Sequence, residues 1–408
     1  MKKIQLTSQI LIAMILGLVA GTFFGERIAW IQLIGDLFLR GIQMAVVVMI
    51  MGAVIEAVGQ LNPKELGKVG GKLAAWFVGG TLVSAAVGLL FAQWIRPGEG
   101  LSLTLSQNNL AAQTKIPSLH ETILNFVPSN IMKAMSEGNM IQVIIFALFF
   151  GYALSLLSSQ KEMTNLKESI HQFNQIIIEM IKQVMKLAPI GIFALLAGVT
   201  GKVGLQIILP LVKFLLTMGV ATIVVFVGWL VLVGIYCQVS PILVLKKMWR
   251  MSLVAFTTTS SSITLPIEME DQENKLGVSK RISGVAAPLA MAMNSNGLAI
   301  YLSIAVVTLS QIYNLQLSTG QLLQTIILST LCTFGTVTVP GGGLVALAIV
   351  VPALGLPLES VALLAGVDWF SGMFRTLLNV DGDTFIAMLI AKDEKELDYR
   401  LLKDSTLI

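Results

Sequence analysis

Four ionisable side chains, Asp368, Arg375, Asp381 and Asp383, interrupt the apolar stretch from Val361 to Leu389. A charge at mid-bilayer costs at least roughly 2.5–3.5 kcal/mol on insertion scales, so such residues face a cavity or a partner. At about 100° per residue, Asp368, Gly372, Arg375, Asn379 and Asp383 fall within roughly 80° of one another on a helix. Asp381 lies on the opposite side. One stripe therefore carries an arginine, two carboxylates and an amide. Such a stripe is either an internal salt bridge holding helices together or a site for a carboxylate-bearing solute. In the second reading Arg375 is the bidentate fork and the acids handle a cation.

Composition shows what must position these groups. Of 408 residues, 55% are hydrophobic and 12% charged, against about 25% charged in an ordinary soluble domain. The chain reads as an integral membrane protein. Cys237 and Cys332 lie in apolar surroundings and read as buried thiols. His120 and His171 are too few and too far apart for a metal site. The net charge of +4 follows membrane topology and gives no reason to expect a nucleic-acid partner.

Apolar segments of spanning length run over 9–25, 36–60, 73–95, 123–157 (long and interrupted), 172–200, 205–237, 283–312 and 361–390. Met1-Lys2-Lys3 and the following apolar run mimic a signal peptide. No convincing small-residue cleavage site follows, so the run is taken as the first helix. Basic residues concentrate at the N-terminus, in 61–72, 158–169, 246–250 and 275–281, and in the tail. The positive-inside rule then predicts eight spans with both termini cytoplasmic.

Two further segments fit poorly as spans. Residues 242–270 pass from an apolar arm into Thr257-Thr258-Thr259-Ser260-Ser261-Ser262 and return through ITLPIEM to a charged loop. Both flanks are basic, so the segment enters and leaves by one face. Residues 321–357 do the same from the other side, around Gly335-Thr336-Val337-Thr338-Val339-Pro340-Gly341-Gly342-Gly343. Irregular backbone at membrane depth requires surrounding protein or a water-filled cavity, which favours re-entrant hairpins over kinked helices. Each hairpin precedes a span with a polar interruption: Met293-Asn294-Ser295-Asn296-Gly297 after the first, the charged stripe after the second. That is the pattern of an inverted repeat around a midplane site. Amide and backbone oxygens suit an alkali cation, and helix N-termini suit an anion.

At these residues the chain resembles the dicarboxylate/amino acid:cation symporters, which include the glutamate and aspartate transporters. TSSSITLP resembles the serine-rich first hairpin, MNSNGLAIY the broken seventh span, and GTVTVPGGG the second hairpin tip. VDWFSGMFRTLLNVDGD resembles the eighth span and KLAPIGIFALLA the fifth. The resemblance implies an all-α elevator transporter: eight transmembrane helices, two re-entrant hairpins and a homotrimer in the cell membrane. It implies a scaffold from 1–72 (helices 1 and 2) and 99–204 (helices 4 and 5, with loops). The transport domain would combine 73–98 (helix 3) with 205–392, and 393–408 would form a cytoplasmic tail. No cofactor is implied; the coupling ions are sodium or protons.

Residue by residue, the resemblance assigns Arg375 to the substrate's distal carboxylate, with Thr376 and Asn379 as polar neighbours. Ser261, with Ser262 beside it, meets the other carboxylate, and Gly343 lies at the second tip. Asp368 orients the arginine. Asn294, Asn379 and Asp383 match one sodium site, and the backbone around Thr333, Phe334 and Thr336 matches another. Elsewhere the chain departs from the pattern. Gly372 replaces the aspartate that pairs with an α-ammonium, Asn296 replaces an aspartate of a third sodium site, and Leu298 replaces its threonine. In the third span Phe77, Gly80 and Thr81 stand where the pattern has that site's tyrosine and hydroxyl partners.

These departures predict a degraded third cation site and a dicarboxylate substrate, because a buried ammonium without a carboxylate is heavily penalised. If a proton replaces a sodium ion, Asp368 and Asp383 are the carboxylates on the stripe able to carry it. The alternatives are a proton-coupled amino acid transporter of the same fold and a passive anion channel. An intramembrane hydrolase would need a GxSxG elbow and a nearby histidine, and the hairpins have neither. A sensor would need an output domain, and none is apparent. The chain is expected not to be an enzyme, and Asp381 has no assigned role.

Overall fold

Apolar runs in this chain form helices because a helix satisfies its own backbone donors and acceptors, as a membrane interior demands. A computed structural model describes residues 6–60, 63–101, 103, 127–160, 163–334 and 342–406. In order the α-helices are α1 (Leu6–Phe24), α2 (Gln32–Gln60), α3 (Pro63–Ile95), α4 (Ile131–Ser136), α5 (Met140–Gln160) and α6 (Thr164–Met185). There follow α7 (Ala188–Val203), α8 (Ile208–Cys237), α9 (Pro241–Thr258), α10 (Ser261–Asn274), α11 (Lys280–Met293) and α12 (Asn296–Ile312). The last are α13 (Thr319–Leu331), α14 (Gly342–Ala353), α15 (Val361–Ala365), α16 (Asp368–Asp393) and α17 (Tyr399–Lys403). No sheet occurs among the described residues; an isolated bridge joins Val278 and Leu397.

Four stretches are long and apolar enough to cross a membrane: Gln32–Glu56, Val69–Ile95, Gly204–Cys237 and Lys280–Ile312. Two bent pairs, Asn165–Met185 with Ala188–Lys202 and Leu358–Ala365 with Asp368–Asp393, raise the number to six. The protein is all-α and crosses the membrane several times.

The segment 361–390 differs from its reading as one continuous span. The chain bends by 84° between Leu358–Ala365 and Asp368–Asp393, and α16 starts at Asp368. The bend places the first acid of the stripe in the first turn of a helix, where the N-terminal dipole favours a negative charge.

Helix α16 is the hub. It packs against α8, α9, α10, α11 and α12, and α12 packs in turn against α3, α8, α13 and α14. Separately, α1 packs on α7, and α2 on α5, α6 and α7. Apolar side chains fill α16 from Phe385 to Ala391 without exposure, so its polar stripe is fixed in register by a packed end.

Local chemistry explains two breaks. Between α9 and α10, Thr259 adopts φ 52 and its N–H bonds Ala255 O, closing the first helix. Ser260 then caps the second, its side chain accepting from the Ile263 N–H; hydroxyl side chains supply the orphan donors at such a start with a partner. The two helices pack on each other, so the chain doubles back at Thr259-Ser260. Between α11 and α12, Asn294 and Ser295 leave the helical region, with ψ 99 and ψ 70. The freed Gly297 N–H donates to Asn379 Oδ1 at 2.8 Å, so α16 caps α12.

Candidate functional site

The guanidinium of Arg375 sits at the start of α16 between three elements. Its Nη1 donates to Asp368 Oδ1 at 2.8 Å, seven residues back along the same helical face. Below it lies the ring of Tyr301 on α12, with the Arg375 Cζ 4.6 Å from the ring centroid. A cation over an aromatic face gains electrostatically, more so away from water. Arg375 is 8% exposed and Asp368 4%. This geometry holds a fork rigidly while leaving guanidinium donors beyond the one Asp368 uses.

Glycines let backbone approach this fork. A Cβ on Gly297 would overlap the Arg375 backbone, and one on Gly343 would overlap the guanidinium and Asp368 Oδ1. Only glycine permits such contact. The start of α14 therefore abuts Arg375, as Gly343 suggested from sequence. At Gly372 a Cβ would lie 3.3 Å from Arg375 Nη2 and 3.8 Å from the Thr259 side chain. The turn between α9 and α10 thus reaches the same place. Thr376 and Ser261 are buried nearby along their helices, whereas Ser262 is exposed.

About two turns further along α16 the chemistry changes from donors to oxygens. Asn294 Nδ2 donates to Asp383 Oδ1 at 2.6 Å. Among the described residues, Asn294 Oδ1 and Asp383 Oδ2 are buried without a hydrogen-bond donor. Buried acceptors normally find partners, and two orphaned hard oxygens suit a small cation. Asn379 joins this region through its bond to Gly297. Thr333 and Phe334 are buried after α13, the Thr333 hydroxyl donating to Thr330 O at 2.7 Å. Thr336, like the rest of 335–341, lies outside the described residues.

Around Asn296 the structure gathers several of the departures named above. Asn296 Oδ1 accepts from Ser84 Oγ of α3 at 3.3 Å. A Cβ on Gly80 would lie 3.2 Å from the same oxygen. Phe77, Thr81 and Leu298 are buried, but the Thr81 hydroxyl turns back to Phe77 O at 2.8 Å. Ser84, which the sequence reading passed over, is the hydroxyl that reaches Asn296.

Asp381 gains a partner here. On the face opposite the stripe it accepts from Ser252 Oγ of α9 at 2.7 Å. Tyr301, Thr259, Ser252 and Glu268 also escaped the sequence reading. Glu268 looked like the edge of a charged loop, yet it is buried on α10.

Residues 6–393 match the Sodium:dicarboxylate symporter family. The chain belongs to that family. It is 33% identical over 401 residues to the proton/glutamate-aspartate symporter of Bacillus subtilis, covering 97% of this chain and 96% of that protein. To the proton/sodium-glutamate symport protein of Geobacillus stearothermophilus it is 30% identical over 411 residues, or 97% and 96% of the two chains. To the C4-dicarboxylate transport protein of Bacillus subtilis it is 30% identical over 404 residues, or 97% and 94%. Members of this family are transporters, and the chain is not an enzyme. The family match covers the Arg375–Asp368 pair, the Asn294–Asp383 pair and the glycines that admit them.

Proposed function

We propose that the protein is a secondary active symporter that takes up a small organic dianion of the C4-dicarboxylate type with cations. Arg375 receives one carboxylate, and the hydroxyl-rich turn around Thr259 and Ser261, with Ser262 at its rim, meets the other. Asp368 and Tyr301 keep the guanidinium aimed. Sodium is held by Asn294, Asn379 and Asp383 and by the backbone around Thr333, Phe334 and Thr336. Both termini are cytoplasmic. The functional unit is a homotrimer in which 73–98 and 205–392 move against 1–72 and 99–204. Two hairpins, α9–α10 and α13–α14, enter from opposite faces among eight spans.

The observation carrying the substrate class is Gly372. Its open side faces Arg375 Nη2 and Thr259 and offers no carboxylate to an α-ammonium, while Asp368 is already bonded to Arg375. A buried ammonium there would lack a counter-charge, a heavy cost. Relatives bearing glutamate-aspartate and C4-dicarboxylate names are of nearly equal identity, so the site chemistry must decide. Competition by succinate and L-aspartate against labelled substrate uptake is the test. Succinate is expected to compete better; tight aspartate binding with no effect of succinate would reject the assignment.

At the degraded third site, Asn296 in place of a carboxylate removes a fixed negative charge, so fewer than three sodium ions accompany each substrate.

A further inference from the structure

Helix α16 does not run out into a free tail. Lys395 takes φ 60, and the Glu396 N–H donates to Ala391 O at 2.7 Å. A left-handed residue with this backward bond is a common helix stop, and it reverses the chain. From Glu396 the backbone runs antiparallel to the connection between α10 and α11. Ser279 N donates to Glu396 O at 3.2 Å and Asp398 N to Gly277 O at 2.7 Å, on either side of the bridge between Val278 and Leu397. Gly277 has φ 74, and a Cβ there would lie 2.3 Å from Asp398 O, so only glycine admits this contact. Side chains repeat the pairing. Glu396 accepts from Ser279 Oγ and from Arg281 Nε and Nη2, while Ser279 caps α11 by accepting from the Ile282 N–H. Leu276, Val278, Leu397 and Leu402 are buried in the packed core.

Both arms of the first hairpin end in this seam. Arm α10 leads directly into it at Lys275. Arm α9 is tied to it by Lys247, which is buried without exposure. The Lys247 Nζ donates to Lys275 O at 2.8 Å and to Leu401 O. A buried ammonium is tolerated only with such partners, and the segment 396–402 supplies one of the two. The end of α16 has its own anchors. Asp393 accepts from Tyr236 Oη at 2.5 Å and Glu394 from Lys72 Nζ at 2.9 Å, so unseating 396–402 leaves α16 in place. The arms act as levers on the turn at Thr259-Ser260. Between Lys247 and Thr259 helix α9 is about 18 Å long at 1.5 Å per residue. A tilt of about 3° at its base moves the turn by about 1 Å, and misplacement on that scale is costly at a functional site.

We propose that the segment 396–402 is a positioning strap that clamps the base of the α9–α10 hairpin and so sets its turn against Arg375. This rests on the reading of that turn as a substrate contact. It adds that substrate affinity depends on Glu396, Arg281 and Lys247, none of which touches the site. With the strap seated, the two arms and the start of α11 form one unit with α16. With it lifted, Lys247 loses an acceptor, the arms tilt at their base, and the hydroxyls of the turn leave the guanidinium.

Wild type, Glu396→Arg and the double variant Arg281→Glu with Glu396→Arg test this in proteoliposomes. The probes are radiolabelled succinate and L-aspartate under combined inward sodium and proton gradients. Glu396→Arg should raise the half-saturating concentration of the transported probe more than about twofold, with the maximal rate held within about twofold. The double variant, which restores the pair with its charges exchanged, should return to within about twofold of wild type. Hydrogen exchange followed by mass spectrometry needs no transport. Amides of 257–262 should exchange faster in Glu396→Arg than in wild type or the double variant, although none of them touches residue 396. An unchanged half-saturation, a fall in maximal rate alone, or a double variant without rescue overturns the strap and leaves the symporter reading standing. Faster exchange confined to 275–281 and 396–402 does the same. If Glu396→Arg does not fold, Arg281→Gln, on an exposed side chain, is judged by the same criteria. A wild type with no saturable uptake of either probe overturns the symporter reading, and exchange at 257–262 then decides the strap.

Discussion

Replacing Gly372 with aspartate restores a carboxylate beside Arg375 and should reverse substrate preference. A Cβ at this position lies 3.3 Å from Arg375 Nη2 and 3.8 Å from Thr259. The nearer neighbour is a terminal guanidinium nitrogen rather than backbone, so the substitution needs the held fork to shift by a few tenths of an ångström. The new carboxylate gives an α-ammonium a partner and takes part of the arginine away from a dianion. A hydrogen bond to a charged group contributes about 1.5–3 kcal/mol, and every 1.4 kcal/mol is tenfold in affinity. The aspartate-to-succinate affinity ratio should therefore rise roughly 10–100-fold. Inhibition of labelled uptake by each acid, measured in wild type and Gly372→Asp side by side, gives the ratio directly. Thermal melting and gel filtration establish that both proteins are folded. A ratio unchanged within about twofold in a folded variant refutes the placement of substrate beside Gly372.

Arg375→Ala should abolish uptake while the protein remains folded and extracts as the same oligomer; unchanged transport of an acidic substrate would contradict the carboxylate fork. Asp383→Asn should raise the sodium concentration for half-maximal uptake at least tenfold, about 1.4 kcal/mol or more, because it removes a charge beside orphaned oxygens; an unaltered sodium titration would count against that site. A reversal potential set by three sodium ions per substrate would contradict the loss at Asn296. Gly297→Ala should lower stability by about 1–3 kcal/mol through overpacking against the Arg375 backbone, read as a reduced melting temperature; an unshifted melt would mean that α12 retreats at no cost.

The stripe was legible because helical periodicity survives any tertiary context. Asp368 bonds Arg375, Asn379 caps α12, and Asp383 bonds Asn294, and all four α16 residues lie on the predicted face. The break at Asn294-Ser295 was also legible, since two amides and a glycine weaken an apolar helix. The 84° bend before Asp368 was not, because VALLAGV is apolar throughout and carries no proline. Asp381 could not be placed because its partner, Ser252, lies 129 residues away. Glu268 was hidden by the acids after it: Glu270, Asp271 and Glu273 make the end of α10 look solvated, although Asp271 is buried too, against Arg250 and Lys275, and Glu268 is buried by packing against α16. Tyr301 reads in sequence as one more bulky residue of a span; its role under Arg375 depends on α12 crossing α16 at Gly297.

The central claim is that this site drives a dicarboxylate uphill with cations. Purified protein in sealed liposomes, given labelled succinate and an inward sodium gradient, a proton gradient, or neither, tests it most directly. Accumulation above the external concentration under at least one gradient, and simple equilibration under neither, is the predicted result. Equilibration without accumulation under every gradient would contradict it and identify a passive anion pathway.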